Sequence, residues 1–229
     1  MAEIKENLEI IKRKIADAAS RAGRQPGETT LVAVTKTVPS GLINQAIDCG
    51  VNAIGENRVQ EAAQKFPEIS VPVQWHLIGH LQSNKAKKAV EMFSLIHSID
   101  SVSLAREVGR RALEADKVQE ILLEVNTSGE PQKFGFGPEE VLNAIEVIKD
   151  IKAVKVLGLM TVGPLTEDGL RIRKAFRKLR AIFEQAAKLG FRNVEMKYLS
   201  MGMSGDFETA IEEGSNMVRI GSAIFGARG

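Results

Sequence analysis

The sequence predicts an α/β fold, a closed (β/α)8 TIM barrel with an extra helix before the first strand. Eight short apolar runs alternate with helical patterns along the chain, as a parallel sheet with crossover helices requires. The length of 229 residues suits one barrel, because barrels start at about 200 residues and typically have about 250. No linker rich in Pro, Gly or Ser and no low-complexity segment divides the chain, so residues 1–229 are expected to form one domain.

The elements follow one another in the order that a barrel requires. Residues 3–22 place Ile4, Leu8, Ile11 and Ile15 at helical spacing, which predicts an amphipathic helix. The run 31–36 that follows consists mostly of β-branched or small residues, as a strand buried on both faces requires. The predicted strands are 31–36, 53–56, 73–78, 94–99, 120–126, 154–160, 195–200 and 217–220. The helices between them are predicted to centre near residues 45, 61, 86, 108, 143, 178 and 210.

The composition is that of a soluble globular protein, with 44% hydrophobic and 26% charged residues. A formal net charge of +2 is too near balance to argue for a nucleic-acid or membrane partner. Cys49, the one cysteine of the sequence, cannot form an internal disulfide, and the N-terminus lacks the apolar core of a signal peptide. No apolar segment approaches the roughly 20 residues that span a bilayer. We therefore expect a cytoplasmic protein that binds neither nucleic acid nor membrane.

The ends of the predicted strands bring together the candidate functional residues, because chemistry in barrels is done at the carboxyl ends of the strands. Ser200 has no evident His and Asp partners for a triad, and His76 lies inside an apolar run, where a packed core histidine is expected. His76 and His80 do not share a helix face and have no carboxylate cluster beside them, so no metal site is predicted. The residues at or just past these ends are Lys36, Asn57, His80, Asn126, Met160, Ser200 and Arg219.

Two loops rich in Gly and Ser point to a phosphate. One covers 200–205 after the seventh predicted strand, and the other begins at Gly221 and Ser222 after the eighth. Loops in these places frequently form a phosphate site in barrels. By its position alone Lys36 fits a surface charge as well as a buried nucleophile, but a lysine beside a phosphate site suits a phosphorylated aldehyde held as a Schiff base, which is pyridoxal 5′-phosphate. Arg219 ends an apolar strand and needs a partner if buried, which the pyridine nitrogen would supply.

Six stretches, in order along the chain, resemble those of the pyridoxal phosphate homeostasis proteins (the YggS/PROSC family). They are VAVTK (32–36), GENRVQE (55–61), WHLIGHLQSNK (75–85), GLMT (158–161), LSMGMS (199–204) and VRIGSAIFG (218–226). These proteins are single-domain barrels similar to the N-terminal domain of alanine racemase. The resemblance implies that pyridoxal 5′-phosphate is the cofactor, that Lys36 forms the Schiff base and that Arg219 faces the pyridine nitrogen. It further implies that the phosphate is taken by Ser204, Gly221 and Ser222, with Asn57, Met160 and Ser200 also in the cofactor site.

The resemblance implies a carrier or buffer of the cofactor without robust catalytic turnover, acting as a monomer, with apoenzymes that use the cofactor as candidate partners. A protonated Arg219 would leave the pyridine nitrogen unprotonated and weaken the cofactor as an electron sink. Alanine racemase takes a second base from a separate C-terminal domain, for which this sequence has no counterpart. A racemase of low activity, with His80 or a partner as the second base, stays open as an alternative, as does a regulatory protein that acts through surface contacts.

Two further segments carry expectations about the surface. The helical pattern around residue 178 is strongly basic and is expected to present a solvated outer face, with a surface for nucleic acid or an acidic partner as the alternative. The segment 129–137 has the composition of a mobile loop and is a candidate cover for the site.

Overall fold

The computed structural model describes residues 2–226, which form a closed barrel of eight parallel strands in chain order. The strands are β1 Thr30–Val34, β2 Ala53–Glu56, β3 Gln74–Leu77, β4 Leu95–Ile99, β5 Gln119–Glu124, β6 Val154–Met160, β7 Val194–Ser200 and β8 Met217–Ile220. The α-helices are α1 Ala2–Arg21, α2 Ser40–Asp48, α3 Val59–Lys65, α4 Ala86–Met92, α5 Val102–Glu114, α6 Val141–Ile148, α7 Gly169–Ala187, α8 Phe207–Glu212 and α9 Ser222–Phe225. The predicted barrel and the helix before its first strand are confirmed.

The predicted strands agree with the observed ones to within two residues at either end. Strands β2, β6 and β8 have the predicted limits. The first strand ends at Val34, two residues before its predicted end, because the backbone turns at Lys36 and Thr37. The predicted domain limits at residues 1 and 229 lie outside the described residues, and the assignment of one domain stays a prediction.

Helix α1 covers the seam at which the barrel closes. Strand β1 pairs with β8 in a register that runs from Thr30 and Met217 to Ala33 and Ile220. The apolar face of α1 is buried as predicted, and the helix packs against α8 and α9. The side chain of Asn7 donates a hydrogen bond to the Ile224 carbonyl at 3.0 Å.

Within residues 2–226, no helix is both long enough and apolar enough to cross a membrane.

A small apolar cluster fills the lower part of the barrel interior. It consists of Val32, Ala53, Leu95, Leu122, Leu157, Met160 and Met217, one or two from each of six strands. Because side chains alternate between the two faces of a strand, the inner-face position of Val32 predicts the same face for Val34 and, two residues later, for Lys36. In the same way Met217 places Arg219 on the inner face of β8. The polar groups of the barrel interior therefore lie above this apolar floor, toward the carboxyl ends of the strands.

Candidate functional site

Lys36 lies in the turn that follows β1, at the mouth of the barrel. The Thr35 amide donates to the Gly55 carbonyl at 2.9 Å, so that the pairing of β1 with β2 continues to the residue before Lys36. Lys36 itself is half-buried. The alternation of side chains along β1 predicts that it lies on the same side as the interior residue Val32, four positions earlier.

A charged cluster anchors the backbone on both sides of Lys36. The ammonium group of Lys65, from α3, donates to the Thr35 carbonyl at 2.7 Å, to Glu56 at 2.9 Å and to Glu61 at 2.6 Å. The Thr35 hydroxyl donates to Glu56 at 2.7 Å. The Thr37 amide donates to Glu61 at 2.5 Å. We call Thr35, Thr37, Glu56, Glu61 and Lys65 the lysine-loop clamp.

The clamp holds an unusual backbone conformation and a buried charge. Thr37 has a φ of 60°, a left-handed conformation that costs a non-glycine residue about 1 to 2 kcal/mol. Glu56 has no exposed surface, and burial raises its pKa, against which the hydrogen bonds from Lys65 and Thr35 act. Burial also raises the pKa of Glu61, but the hydrogen bonds from Lys65 and Thr37 outweigh it, and the net shift is downward. The turn around Lys36 is therefore held by a hydrogen-bonded cluster of one basic and two acidic side chains.

Arg219, from β8, is buried, and the protein itself supplies its partners. Its Nη1 donates to the Ser200 hydroxyl at 2.6 Å, and its Nη2 donates to the Thr161 carbonyl at 2.8 Å. These partners satisfy two of its nitrogens within the protein, and the contact of Arg219 with a pyridine nitrogen stays a prediction. Burial lowers the pKa of Arg219 to about 10, while Glu124 and Asp206 act in the opposite direction. The guanidinium therefore stays protonated at neutral pH.

Behind Ser200 lie two buried histidines, contrary to the expectation that this serine has no histidine partner. His97 Nδ1 is 3.2 Å from the Ser200 hydroxyl, and His97 Nε2 is 3.1 Å from His76 Nδ1. Burial lowers the pKa of His76 to about 4, and burial, His76 and Arg219 lower the pKa of His97 well below its usual value. Both rings are therefore neutral at pH 7, with one N–H each. The predicted burial of His76 is confirmed.

The chain of hydrogen bonds from Arg219 through Ser200 and His97 to His76 is called the histidine relay. A neutral imidazole donates from one nitrogen and accepts at the other. The two hydrogen bonds that His97 makes in the relay therefore run in the same direction. All four side chains are buried. The uncharged side chains of Ser200, His97 and His76 thus hold one side of the Arg219 guanidinium. These residues do not form a triad with a carboxylate.

Glu124, which interacts with Arg219, lies close to a second acidic residue, Asp100. Glu124 ends β5, is 8% exposed, and has a pKa raised to about 7 by burial and by Asp100, with Arg219 acting in the opposite direction. Asp100 lies 3.1 Å from Nδ1 of His80. The His80 ring stacks on Phe134 with centroids 3.8 Å apart, so the segment 129–137 reaches over the loop that follows β3.

The two loops predicted to take a phosphate meet. The Gly221 amide donates to the Ser204 hydroxyl at 3.3 Å, and the Arg219 amide donates to the Gly202 carbonyl at 3.0 Å. Gly221 is buried, whereas Ser222 is exposed at the start of α9. The structure therefore brings Ser204 and Gly221 into contact beside Arg219, with Ser222 next in the chain.

Asn57 and Met160, also predicted for the site, have different surroundings. Asn57 is half-buried just after β2 and lines a cavity of about 520 Å³ together with His80 and Lys85. Met160, the last residue of β6, is fully buried and packs in the same apolar cluster as Val32 and Met217. Within residues 2–226, no group of three or more His, Cys, Asp or Glu side chains could hold a metal ion.

Sequence reasoning missed the residues that hold Lys36 and Arg219 in place. Lys65 and Glu61 fall in a helical pattern that is typical of a solvated surface. His97 lies inside the apolar run of β4, the strand next to β3, and no sequence spacing links it to Ser200 on β7. A signal was present in each case, because a Glu at the end of the buried run 53–56 and a His within the run 94–99 both need polar partners.

The chain matches known proteins over its full length. The family model described as alanine racemase, N-terminal domain, matches residues 5–229. The chain is 42% identical over 224 residues to the pyridoxal phosphate homeostasis protein of Aquifex aeolicus, covering 97% of each chain. It is 39% identical over 233 residues to the protein of the same name from Escherichia coli, covering 100% of this chain and 98% of that one.

A solved structure shares both fold and sequence. PipY of Synechococcus elongatus, solved with PLP bound, has a TM-score of 0.82 and 35% identity, covering 93% of this chain and 100% of that one. The family predicted from the six sequence stretches is confirmed. The chain belongs to the pyridoxal phosphate homeostasis proteins, within the family defined by the N-terminal domain of alanine racemase.

Proposed function

We propose that this protein binds pyridoxal 5′-phosphate (PLP) through a Schiff base with Lys36 and serves PLP homeostasis as a carrier or buffer, without robust catalytic turnover. The observation that carries the proposal is the lysine-loop clamp, which fixes the residues on both sides of Lys36. A fixed amine at the carboxyl end of a barrel strand is suited to attack a carbonyl. PipY was solved with PLP bound, and the Aquifex relative is named a PLP homeostasis protein.

The donor groups in the loops after β7 and β8 fit PLP. Ser204 and Gly221 supply a hydroxyl and a backbone amide in contact with each other, and Ser222 adds a hydroxyl; these are donors that a phosphate takes. Arg219 would face the pyridine nitrogen, with the histidine relay and Thr161 holding its guanidinium. When bound, PLP supplies an electron-withdrawing ring. A protonated Arg219 leaves the ring nitrogen unprotonated, which restrains that chemistry and favours a carrier over an enzyme.

The proposal is tested by visible absorbance. Purified protein mixed with PLP should develop the absorbance band of a Schiff base, and borohydride reduction should attach the pyridoxyl group to Lys36, as read by peptide mass spectrometry. Lys36→Ala should abolish both. A Lys36→Ala variant that keeps the band, or a label on another lysine alone, would overturn the role of Lys36.

The single cysteine, Cys49, is consistent with a cytoplasmic setting, which we also propose.

A weak amino-acid racemase is the second candidate, and Glu124 is the observation in its favour. A buried carboxyl group with a pKa of about 7 exchanges protons readily near neutral pH, as a general acid or base must. Glu124 lies near Arg219, and the positive charge of Arg219 partly offsets the rise in the pKa of Glu124. It is thus a candidate for the second base that the sequence did not reveal.

This candidate is tested by following alanine and serine in deuterated water with PLP-loaded protein. Inversion at Cα that is lost in Glu124→Gln but kept in a surface control, Glu139→Gln, would support the racemase. Solvent exchange without inversion would show chemistry from one face only, and neither exchange nor inversion would leave the carrier as the function.

A further inference from the structure

Helix α7 carries two faces of different electrostatic character. On one face, every arginine has an acidic partner. Arg173 and Arg177 pair with Glu213 at 2.9 and 2.8 Å, and Arg180 pairs with Glu184 at 2.8 Å. This face is therefore neutralised, and it packs toward α8, which ends next to Glu213.

The other face carries Arg171, Lys174 and Lys178, which form no ion pair with any acidic group of residues 2–226. Their spacing of three and four residues puts them on one side of the helix. The acidic groups nearby are engaged elsewhere. Asp168 accepts from the Leu170 amide at 2.9 Å, and Glu130 pairs with Lys133 at 2.8 Å. Three uncompensated positive charges thus lie in a row.

These three cations line a cavity of about 320 Å³. Its opposite wall is the start of the loop after β5, with Thr127, Ser128 and Gly129. That wall is held in place, since the Gly129 amide donates to the Asn126 side chain at 3.0 Å. The volume is at the lower end of the range for small-molecule sites, about 300 to 1,000 Å³. The concave shape therefore suits a compact ligand.

The spacing of the charges defines the ligand further. From Arg171 to Lys178 the helix rises about 10 Å, which is longer than one phosphate group. A ligand with two linked anionic groups can contact cations at both ends of the row. Three cations are too few for a nucleic-acid surface, which typically neutralises about 6 to 10 phosphates.

We propose that this cavity, on the outside of the barrel, binds a small anion with two linked phosphate groups. The site differs from that proposed for PLP, which lies at the β7 and β8 loops. It is connected to that site through hydrogen bonds. The Thr127 hydroxyl lies 2.9 Å from that of Thr161, whose carbonyl accepts from Arg219.

Calorimetric titration of the full chain with inorganic pyrophosphate, in the absence of PLP, tests the proposal. One site per chain is expected, with an affinity that falls as salt is raised. Lys174→Gln/Lys178→Gln should weaken binding about 100-fold, since each hydrogen bond to a charged group contributes about tenfold or more. The matched control is Arg180→Gln/Lys188→Gln, which removes one charge from α7 and one from the residue that follows it, both away from the cavity, and should bind as the wild type does. Thermal unfolding of both variants checks that they are folded.

Three outcomes would overturn the proposal. They are wild-type protein that does not bind pyrophosphate, a cavity variant that binds it as tightly as the control, and binding of a 20-base RNA in place of pyrophosphate. Ser204→Ala separates this site from the proposed PLP site. If that change abolishes pyrophosphate binding, the anion occupies the loops after β7 and β8, and the cavity at α7 is not the site. Because no PLP is present, failure of the proposed PLP function does not affect the result.

Discussion

The two sides of the barrel mouth, around Lys36 and around Arg219, are stabilised by different kinds of interaction. On the side of Lys36, the lysine-loop clamp is built on acidic and basic side chains, with Lys65 bridging Glu56, Glu61 and a backbone carbonyl. On the side of Arg219, the histidine relay is neutral, and no acidic side chain of residues 2–226 forms an ion pair with the guanidinium. Both sides are hydrogen-bonded, but only the side of Lys36 has direct ionic contacts.

The difference shows where the uncompensated charge of the mouth lies. Around Lys36 the positive charge of Lys65 is balanced by Glu56 and Glu61 within 3 Å. Around Arg219 the acidic groups act only from a longer range. A positive potential is therefore directed into the mouth from β8, on the side where an anionic or electron-rich ligand group would be held.

Lys65→Met breaks the charged side and should have the largest effect. It leaves the carboxylate of Glu56 buried without its cation, and loss of one partner of a buried pair costs about 3 to 5 kcal/mol. Urea denaturation should show this loss in the free energy of unfolding. Adding Glu56→Gln to Lys65→Met should restore part of it, because the uncompensated charge is then gone. A loss below about 1 kcal/mol in the single variant would show that the clamp contributes little.

His97→Phe breaks the neutral side. It removes the hydrogen bonds that His97 makes to Ser200 and to His76, so that Ser200 keeps only the bond from Arg219, and each buried group left unsatisfied costs about 1 to 3 kcal/mol. We expect a loss of about 2 to 4 kcal/mol by urea denaturation, and weaker PLP binding because Arg219 is less well held. His97→Gln, whose amide can still reach one partner, should lie between the wild type and His97→Phe. Equal stability of the two variants would contradict the relay.

The barrel itself could be predicted because its signal is repeated along the chain. Most strands are short apolar runs and the longer helices have amphipathic patterns, so the alternation of elements is visible without tertiary information. Lys36 and Arg219 could also be placed, since the end of a strand in a barrel is the mouth. The run 217–220 contains Arg219 as its one charged residue, which already indicated an unusual environment.

The supporting residues could not be predicted, because they become neighbours only when the barrel closes. His76, His97 and Ser200 come from β3, β4 and β7, and their contacts cross the interior between strands that are far apart in the sequence. The approach of Lys65 to Thr35 spans 30 residues. Neither contact follows from the periodicity of one element, and both depend on the stagger of the strands.

Glu124→Gln should change how the free energy of unfolding depends on pH. Because its pKa is raised from 4.5 to about 7 in the folded protein, the unfolded chain releases this proton first as pH rises. Stability is therefore lost between pH 4.5 and 7, and the loss is complete above pH 7. The substitution removes this effect, so relative to the wild type the variant should gain about 2.5 kcal/mol more at pH 8 than at pH 5. A difference that does not change with pH would show that Glu124 is ionised normally.

Phe134→Ala should have the smallest effect, at the contact that joins the segment 129–137 to the loop after β3. The Phe134 ring is 53% exposed and stacks on His80, and such ring pairs contribute about 0.5 to 1.5 kcal/mol. Because the segment is also tied down by backbone hydrogen bonds from Asn126 and Phe136, the loss of stability should stay near 1 kcal/mol. Hydrogen exchange should rise in the segment 129–137 and leave the amide of Thr37 unchanged, since the clamp is not in contact with it. Faster exchange at Thr37 as well would mean that the two sides of the mouth open together, and the contrast between them would then be one of chemistry only.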